Sequence, residues 1–262
     1  MNAHKRLIEV TGLVGGYASA EQIVKGVAMG ADAGELVTII GPNGAGKSTA
    51  LKLISGLLRP AQGHVYINGE DVAGRSPQAI ARAGLGFVPQ ERNIFGSLSV
   101  AENLEMGCRF EPGAFKERAA EAYARFPMLA DKRRTAAKSL SGGQRQILAM
   151  AMALMAKPSA LLLDEPTAGL SPKAAHELFD YIRRIAAEGI AILMVEQNAL
   201  ESLSVSDRAY VLVDGRNHLE GTAEAVANDP DIRRLFLGGR STSSRQSGAA
   251  GETSASDSAK QK

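Results

Sequence analysis

The feature that most constrains the fold of this chain is an apolar run that leads directly into a glycine-rich loop. Residues Leu36–Ile40 are continuously apolar, a pattern typical of a strand buried on both faces of a sheet. The loop Gly41-Pro-Asn-Gly-Ala-Gly-Lys-Ser48 follows, and residues 49–58 are apolar at helical spacing. A strand, a loop of the pattern Gly-x-x-x-x-Gly-Lys-Ser and a helix in this order predict a phosphate-binding P-loop rather than a structural glycine turn.

The P-loop pattern also predicts which atoms would contact a nucleotide. Backbone N–H groups of residues 43–49 can cradle the β-phosphate, and the Lys47 ammonium can bridge β- and γ-phosphate oxygens. The Ser48 hydroxyl is an expected ligand of Mg²⁺. The residues of this loop expected to bind the nucleotide are Gly41, Asn43, Gly44, Ala45, Gly46, Lys47, Ser48 and Thr49.

Two adjacent carboxylates follow another apolar strand, residues 160–163. Asp164 suits a contact to Mg²⁺ through water, and Glu165 can act as the general base that polarises the attacking water. The alternative for this pair is a solvated strand end. Gln90 follows the predicted strand Leu85–Val88, and its amide could reach both the metal ion and the water, although glutamines are common at strand ends.

A second loop with two glycines, Leu140-Ser-Gly-Gly-Gln144, opens a predicted helix over residues 144–156. Free backbone N–H groups and the positive end of the helix dipole make such a loop suitable for a phosphate. Ser141 is placed to cap the helix. The chain therefore carries two loops suited to phosphate and one pair of carboxylates. The binding of phosphate and its chemistry must be divided among these three motifs.

The order of the predicted elements indicates an α/β fold. Strands and helices alternate, which predicts a mainly parallel sheet core with an antiparallel N-terminal β portion. Residues 97–157 are rich in helix signals and are expected to form a helical subdomain. We expect one domain over residues 1–237 and a disordered polar tail over residues 238–262, where apolar bulk is almost absent.

Composition limits the class of function. Of the 262 residues 45% are apolar and the net charge is +2, so no strong electrostatic field points to nucleic acid as a partner. The single cysteine, Cys108, excludes an internal disulfide and favours a reducing compartment. The longest apolar run, residues 147–156, is too short for a membrane span, and no signal peptide is visible, so a cytoplasmic protein is expected.

In their order and spacing, these motifs resemble the ATP-binding cassette (ABC) family of transport ATPases over residues 7–237. The resemblance implies a P-loop NTPase fold with ATP and Mg²⁺ as ligands. It further implies a head-to-tail dimer, in which each ATP is held by one subunit's P-loop and capped by the signature loop, residues 140–144, of the other. The residues implied to form that cap are Ser141, Gly142, Gly143 and Gln144. Tyr17 lies where the family stacks an aromatic ring on adenine, with core packing as the alternative role.

A second resemblance is to the ATPase subunits of bacterial hydrophobic (branched-chain) amino-acid importers. It rests on residues 88–95, 167–172 and 195–199. It implies an ATP-hydrolysing subunit on the inner face of the cell membrane, together with integral-membrane permease subunits, a second ABC ATPase subunit and a periplasmic solute-binding protein. Importers for urea or short amides share this branch and are the alternative.

Two positions depart from the pattern of the wider family. Gln197 stands where most members place a histidine that senses the γ-phosphate, and Ser171 stands where most have an aspartate. Gln197 can donate a hydrogen bond but carries no positive charge, which would lower turnover by up to about tenfold. Either turnover survives because Glu165 remains, or the chain forms the weaker site of a heterodimer. We therefore group Gln197 with Glu165 and Gln90 as candidate catalytic residues.

Two other classes of protein account for less of the sequence. A soluble ABC-type ATPase that acts on DNA or ribosomes would need a long coiled coil between the P-loop and signature halves, or two tandem cassettes, and the sequence has neither. A P-loop kinase would leave the motif at residues 140–144 unexplained.

Overall fold

The framework of the protein is a pair of β-sheets seen in a computed structural model that describes residues 6–18 and 22–237. The tail expected over residues 238–262 lies outside the described residues. The strands are β1 (Arg6–Gly15), β2 (Val24–Asp32), β3 (Leu36–Ile40), β4 (Gln62–Ile67), β5 (Glu70–Asp71), β6 (Leu85–Val88), β7 (Ala160–Asp164), β8 (Ala191–Val195), β9 (Arg208–Val213) and β10 (Arg216–Thr222).

The larger sheet is mainly parallel and confirms the predicted α/β fold. It has six strands in the order β10-β9-β3-β8-β7-β6, and only β10 joins its neighbour antiparallel. The smaller sheet has four strands in the order β2-β1-β4-β5, all antiparallel. The strand before the P-loop, β3, lies inside the larger sheet between β9 and β8, and every one of its residues is buried. This placement explains its uninterrupted apolar sequence.

The helices cover both faces of the larger sheet and form most of the chain between β6 and β7. They are α1 (Lys47–Ile54), α2 (Pro77–Arg82), α3 (Val100–Gly107), α4 (Phe115–Arg125), α5 (Pro127–Asp131), α6 (Gly142–Leu154), α7 (Pro172–Ala187), α8 (Ala199–Val205), α9 (Ala223–Asn228) and α10 (Pro230–Leu237). None of the helices among residues 6–18 and 22–237 is both long enough and apolar enough to cross a membrane.

The first helix differs from its predicted bounds of residues 49–58. It begins two residues earlier, at Lys47, because Gly46 adopts a left-handed conformation that directs the chain into the helix. It ends four residues earlier, at Ile54, and Gly56 follows with φ of +75°. Glycine adopts this left-handed conformation readily, whereas other residues rarely do. The chain therefore leaves the helix before Gly56, although the apolar pattern continues.

Alternate side chains of the central strands enter two different cores. Val37, Ile39 and Leu193 pack with α1 and the antiparallel sheet. Leu36 and Met194 point to the opposite face and pack with α7 and with the helical segment between β6 and β7, which includes α6. Burying each such side chain contributes about 1.5–3 kcal/mol. The sheet is therefore fixed from both sides, and the loops at its edge start from rigid positions.

The helical segment is tied to the preceding loop by one buried amide. Asn103 on α3 is fully buried, and its Oδ1 accepts a hydrogen bond from the Phe95 N–H at 2.8 Å. Its Nδ2 donates to the carbonyl oxygens of Phe95 and Ser99 at 3.0 and 2.8 Å. Ser99 also forms a capping box with Glu102. The loop between β6 and α3 thus has a defined shape.

Candidate functional site

Four loops meet at one edge of the parallel sheet. Strand pairing aligns Val88 with Leu163 and aligns Val195 with both Asp164 and Ile39. The loops that follow β3, β6, β7 and β8 therefore begin side by side. Crevices at the carboxyl ends of parallel strands are the usual ligand sites of such sheets. The sequence motifs predicted from separate parts of the chain come together here.

A cavity of about 440 Å³ lies over the loop between β3 and α1. It is lined by Tyr17, Ile23, Asn43, Gly44, Ala45, Gly46, Lys47, Ser48, Thr49 and Glu165. Gly41 does not line the cavity but allows the loop to pass close to β9, because an added Cβ would lie 2.2 Å from the Leu212 carbonyl oxygen. The predicted P-loop is thus a concave surface rich in backbone N–H groups, which suits a phosphate chain.

Lys47 crosses the loop that carries it. Its Nζ donates hydrogen bonds to the carbonyl oxygens of Gly41 and Pro42 at 2.8 and 3.1 Å. Burial lowers the pKa of Lys47, while the negative charges of Glu165 and Asp164 act in the opposite direction. The ammonium group is therefore held against the cavity, where a phosphate oxygen could replace the carbonyl contacts.

Asp164 and Ser48 form the oxygen-rich corner of the site. The Ser48 Oγ donates to Asp164 Oδ1 at 2.7 Å, and the carboxylate is buried. Burial raises the pKa of Asp164, while the Ser48 hydrogen bond and the charges of Lys52 and Lys47 oppose that shift. Magnesium is commonly bound through one or two carboxylates, water and substrate phosphates. A hydroxyl and a carboxylate oxygen in direct contact fit that ion.

Glu165 lies beside this corner in a strained backbone conformation. Its φ is +46°, a region that costs a non-glycine residue about 1–3 kcal/mol and is enriched at functional sites. The Glu165 N–H donates to the Val195 carbonyl oxygen at 2.9 Å. On the cavity side, Gln90 Nε2 donates to Glu165 Oε2 at 2.8 Å. The structure therefore joins two predicted catalytic residues directly, and the interpretation as a solvated strand end does not hold.

Tyr17 is an exposed wall of the cavity rather than a core residue. Its side chain is 59% exposed, which removes core packing as its role. Lys52 Nζ donates to the Tyr17 hydroxyl at 3.0 Å and lies 5.3 Å from the ring centre. Lys52 was not predicted from the sequence, and its position four residues after Ser48 on α1 carries no distinctive signal. Stacking of adenine on Tyr17 stays a prediction.

Gln197 is not part of the P-loop cavity. It is exposed at the end of β8 and lines a neighbouring cavity of about 360 Å³ together with residues of the loop after β7. The preceding residue, Glu196, is only 2% exposed and accepts hydrogen bonds from Thr167 and from Gln197 itself. Burial raises the pKa of Glu196, the charge of Glu165 adds to that shift, and the hydrogen bonds oppose it. Sequence reasoning missed Glu196, although an acid directly after an apolar strand was the available signal.

The signature loop opens α6 and packs against the segment after β7. Ser141 caps α6: its side chain accepts from the Gln144 N–H at 3.3 Å, and its own N–H donates to Gln144 Oε1 at 3.1 Å. Gly142 and Gly143 pack against the segment after β7, where an added Cβ would lie 3.1 Å from Leu170 and 3.2 Å from Ala174. Within the described chain, residues 141–144 are not among those that line the P-loop cavity.

One hydrogen bond connects the Gln90 loop to the signature helix. Asn93 Nδ2 donates to Gln146 Oε1 on α6 at 2.9 Å. The same Nδ2 also donates a hydrogen bond to the Pro89 carbonyl oxygen at 3.2 Å. A displacement of the loop that holds Gln90 would therefore act directly on α6, the helix that Ser141 caps, through this hydrogen bond.

Known proteins share both the sequence and the architecture of this chain. A family model described as ABC transporter matches residues 24–168. The chain is 38% identical over 224 residues to the high-affinity branched-chain amino acid transport ATP-binding protein BraG of Pseudomonas aeruginosa, covering 85% of this chain and 96% of that protein. It is 40% identical over 205 residues to the probable branched-chain amino acid transport ATP-binding protein LivF of Archaeoglobus fulgidus, covering 78% and 87% of the two chains.

A relative with a different stated role is also similar. The lipopolysaccharide export system ATP-binding protein LptB of Acidithiobacillus ferridurans is 36% identical over 219 residues, which cover 82% of this chain and 90% of that protein.

Among solved structures, the ADP conformation of MJ1267, an ATP-binding cassette of an ABC transporter, superposes with a TM-score of 0.79 at 27% identity over 89% of this chain and 99% of that one. A dimeric post-hydrolysis state of the cassette MJ0796, bound to ADP and Pi, gives a TM-score of 0.72 at 27% identity over 82% and 98% of the chains. From the motifs, the fold and these likenesses together, the chain belongs to the ABC transporter family as an ATP-binding, ATP-hydrolysing subunit.

Proposed function

We propose that this chain hydrolyses ATP to drive an importer of hydrophobic, branched-chain amino acids. The hydrolysis part of the proposal is supported by the contact between Gln90 and Glu165 beside the P-loop cavity, which fits a base and a polar sensor acting together. The substrate class follows from BraG and LivF, whose names state branched-chain amino acid transport. It is supported by the residue patterns at 88–95, 167–172 and 195–199.

Binding of ATP is assigned to the P-loop cavity. Backbone N–H groups of residues 43–49 face the phosphates, and Lys47 moves its hydrogen bonds from loop carbonyls to phosphate oxygens. The exposed ring of Tyr17 offers a stacking surface for adenine. Ser48 and Asp164 would hold Mg²⁺, which neutralises the charge on the phosphate oxygens when it is bound.

Hydrolysis is assigned to Glu165 as general base. The carboxylate polarises the attacking water, while Gln90, which donates to it, fixes its orientation and can also reach the water or the metal ion. Gln197 can donate a neutral hydrogen bond to a γ-phosphate oxygen once the loop after β8 approaches the nucleotide. Because Gln197 lines a different cavity in the single chain, that approach requires the loop to move or a second subunit to close the site.

A second ABC ATPase subunit is the proposed cap of each ATP site. Within the described residues, the signature loop does not line the P-loop cavity of its own chain, which supports a role for Ser141, Gly142, Gly143 and Gln144 at the nucleotide of a partner. The solved cassette MJ0796, which has the same architecture, is described as dimeric. A homodimer and a heterodimer are both compatible with this arrangement.

The proposed membrane contact is a groove beside the Gln90 loop. A cavity of about 310 Å³ lies between β6 and the helical segment, and Phe95 and Met106 in its wall are 48% and 45% exposed. Integral-membrane permease subunits would dock here, which places the chain on the inner face of the cell membrane. A periplasmic solute-binding protein would deliver the solute to the same system.

Transport direction and solute are tested by reconstitution. The tagged chain is purified from detergent-solubilised membranes, and the complex is inserted into vesicles with ATP on the side of the chain. We expect hydrophobic permeases to copurify and radiolabelled leucine to accumulate on the ATP side when the matching binding protein is supplied.

Other outcomes would contradict that proposal. Uptake of urea or a short amide instead of leucine would assign the chain to the alternative importers. Extraction of lipopolysaccharide would instead support export, the role that the name of LptB states. Recovery of the chain without permeases, with unchanged ATPase activity, would indicate a soluble ATPase.

A further inference from the structure

Glu196 is a buried carboxylate at the start of the loop that carries Gln197, and its side chain contacts the loop that carries Glu165. It directly follows β8, its own backbone N–H lies 3.4 Å from the Ile39 carbonyl oxygen, and only 2% of its surface is exposed. A carboxylate is almost never buried to this degree without a specific set of partners. The partners of Glu196 therefore indicate what it does.

The two carboxylate oxygens of Glu196 accept hydrogen bonds from different loops. Oε1 accepts from the Thr167 N–H at 3.0 Å and from the Thr167 hydroxyl at 2.8 Å. Oε2 accepts from the Gln197 N–H at 3.2 Å. All three partners are donors, and a carboxylate is the only side chain of this length that accepts on both ends at once. The side chain is thus a bridge between the loop after β7 and the loop after β8.

The bridge acts on the strained residue of the site. Glu165 has φ of +46° and lies two residues before Thr167 in the same turn, in which the Ala168 N–H donates back to the Glu165 carbonyl oxygen at 3.1 Å. Strained conformations persist only where the surroundings over-determine them. Val195 fixes one side of Glu165 through its carbonyl oxygen, and Glu196 fixes the other side through Thr167.

We propose that Glu196 is a positioning residue for ATP hydrolysis: through Thr167 and the Gln197 backbone, it holds the base and the γ-phosphate sensor in one fixed arrangement. This inference rests on the proposed function of Glu165. Glu196 does not line the P-loop cavity, so its contribution belongs to the rate of the chemical step and not to the affinity for ATP.

Substitution of Glu196 by glutamine tests the proposal. The amide keeps one accepting oxygen and replaces the other by a donor, so one of the two loops loses its acceptor and meets an N–H group instead. In the copurified complex we expect Glu196→Gln to lower kcat about tenfold while KM for ATP stays within about twofold, the size expected for losing one charge-assisted hydrogen bond. The matched control is Glu177→Gln, the same chemical change at an exposed position of α7, which should leave both constants unchanged.

A second pair of variants covers the possibility that Glu196→Gln does not fold. Thr167→Val removes the hydroxyl donor but keeps the shape, and it should lower kcat about threefold at unchanged KM. Thr167→Ser restores the hydroxyl and should recover most of the loss. A buried carboxylate with a merely structural role would instead lower Tm and ATP affinity together and leave kcat of the folded fraction unaltered.

The outcomes separate this inference from the proposed function. Glu165→Gln is measured beside the other variants. If Glu165→Gln abolishes turnover while Glu196→Gln and Thr167→Val keep kcat within twofold of the wild type, Glu196 has no positioning role. If Glu165→Gln itself leaves turnover unchanged, the proposed function is wrong, and the inference that depends on it fails as well.

Discussion

At the scale of single residues, the site is built from side chains whose roles depend on their burial. Asp164 and Glu165 are neighbours in sequence but differ in surroundings: the first is buried against Ser48, and the second is half-buried and contacts Gln90. The positive φ of Glu165 turns its side chain away from the path that a regular strand would give it. Two adjacent acids can therefore have different roles, Asp164 in contacting the metal ion and Glu165 in acting as the base.

Tyr17 provides a prediction about nucleotide affinity. Its ring is exposed in the cavity and backed by Lys52, so adenine can stack on the free side. Replacement by alanine removes that surface, and we expect KM for ATP to rise about three- to tenfold with kcat nearly unchanged, because stacking contributes about 0.5–1.5 kcal/mol. Tyr17→Phe keeps the ring and serves as the control in steady-state ATPase assays. An equal loss in both variants would assign the effect to the hydroxyl–Lys52 contact instead.

Some of these residues could be predicted from the sequence and others could not. The P-loop and Asp164 were predictable because a buried strand, a loop and a helix leave local patterns. Lys52 was not, because its contact with Tyr17 arises only when distant segments pack together. For Glu196 the acid after an apolar strand was a signal, but its burial and its contact with Thr167 depend on that packing. The sequence also could not indicate that Gln197 would lie in a cavity separate from the one that Glu165 lines.

At the scale of elements, the parallel sheet carries the site at one edge and an ion pair at the opposite edge. There Asp207, just before β9, accepts from the Leu36 N–H at 2.9 Å. Arg183 on α7 donates to both of its carboxylate oxygens, at 2.6 and 2.8 Å. Burial opposes ionisation of Asp207, but the hydrogen bonds from Arg183 and Leu36 outweigh it and lower the pKa of Asp207 below its ordinary value.

The lowered pKa of Asp207 predicts a pH-dependent contribution to stability. A group with a depressed pKa in the folded state stabilises the protein above its unfolded pKa of 3.8, and the contribution is lost as the pH falls through the folded value. Since the pair is partly exposed, we expect Asp207→Asn to lower the free energy of unfolding by about 1 kcal/mol at pH 7. The difference from the wild type should shrink below about pH 4.

Chemical denaturation at pH 7 and at pH 3 measures that difference. Asp180→Asn, at an exposed position of α7, the helix that carries Arg183, is the control and should change stability at neither pH. A difference between Asp207→Asn and the wild type that stays constant down to pH 3 would show that the carboxylate charge is not the stabilising factor.

Helix boundaries illustrate what the sequence leaves open at this scale. The predicted strand Leu85–Val88 and the predicted cap Ser141 agree with the structure because each depends on a few adjacent residues. The early end of α1 was not predicted, because the apolar residues that follow it pack as a turn around Gly56 rather than as another helical turn. Tertiary packing decides between those two uses of the same apolar pattern.

At the scale of the whole molecule, the proposed function assigns to the single chain halves of two different ATP sites. Within the described residues, the signature loop, whose Ser141 caps α6, is not among the residues that line the P-loop cavity. A second subunit in head-to-tail orientation would complete both sites at once. The short contact between Asn93 and Gln146 then links the Gln90 loop of one site to the signature helix that serves the other.

This arrangement predicts ATP-dependent dimerisation. In the Glu165→Gln variant, which should bind ATP without hydrolysing it, we expect ATP and Mg²⁺ to convert the chain to a dimer in light scattering. Adding Ser141→Arg should prevent the dimer because the bulky cation replaces the cap, whereas Ser139→Arg, at an exposed position two residues earlier, should not. A chain that stays monomeric in every variant would instead indicate that its partner is a different ATPase subunit.

ATP turnover of the permease-bound complex with Glu165 replaced by glutamine decides whether Glu165 activates the attacking water. We expect kcat to fall by about 100-fold or more while ATP binding is retained, because a positioned general base contributes about 100- to 10,000-fold. If turnover is unchanged in that complex, the strained carboxylate beside Gln90 is not the group that activates water.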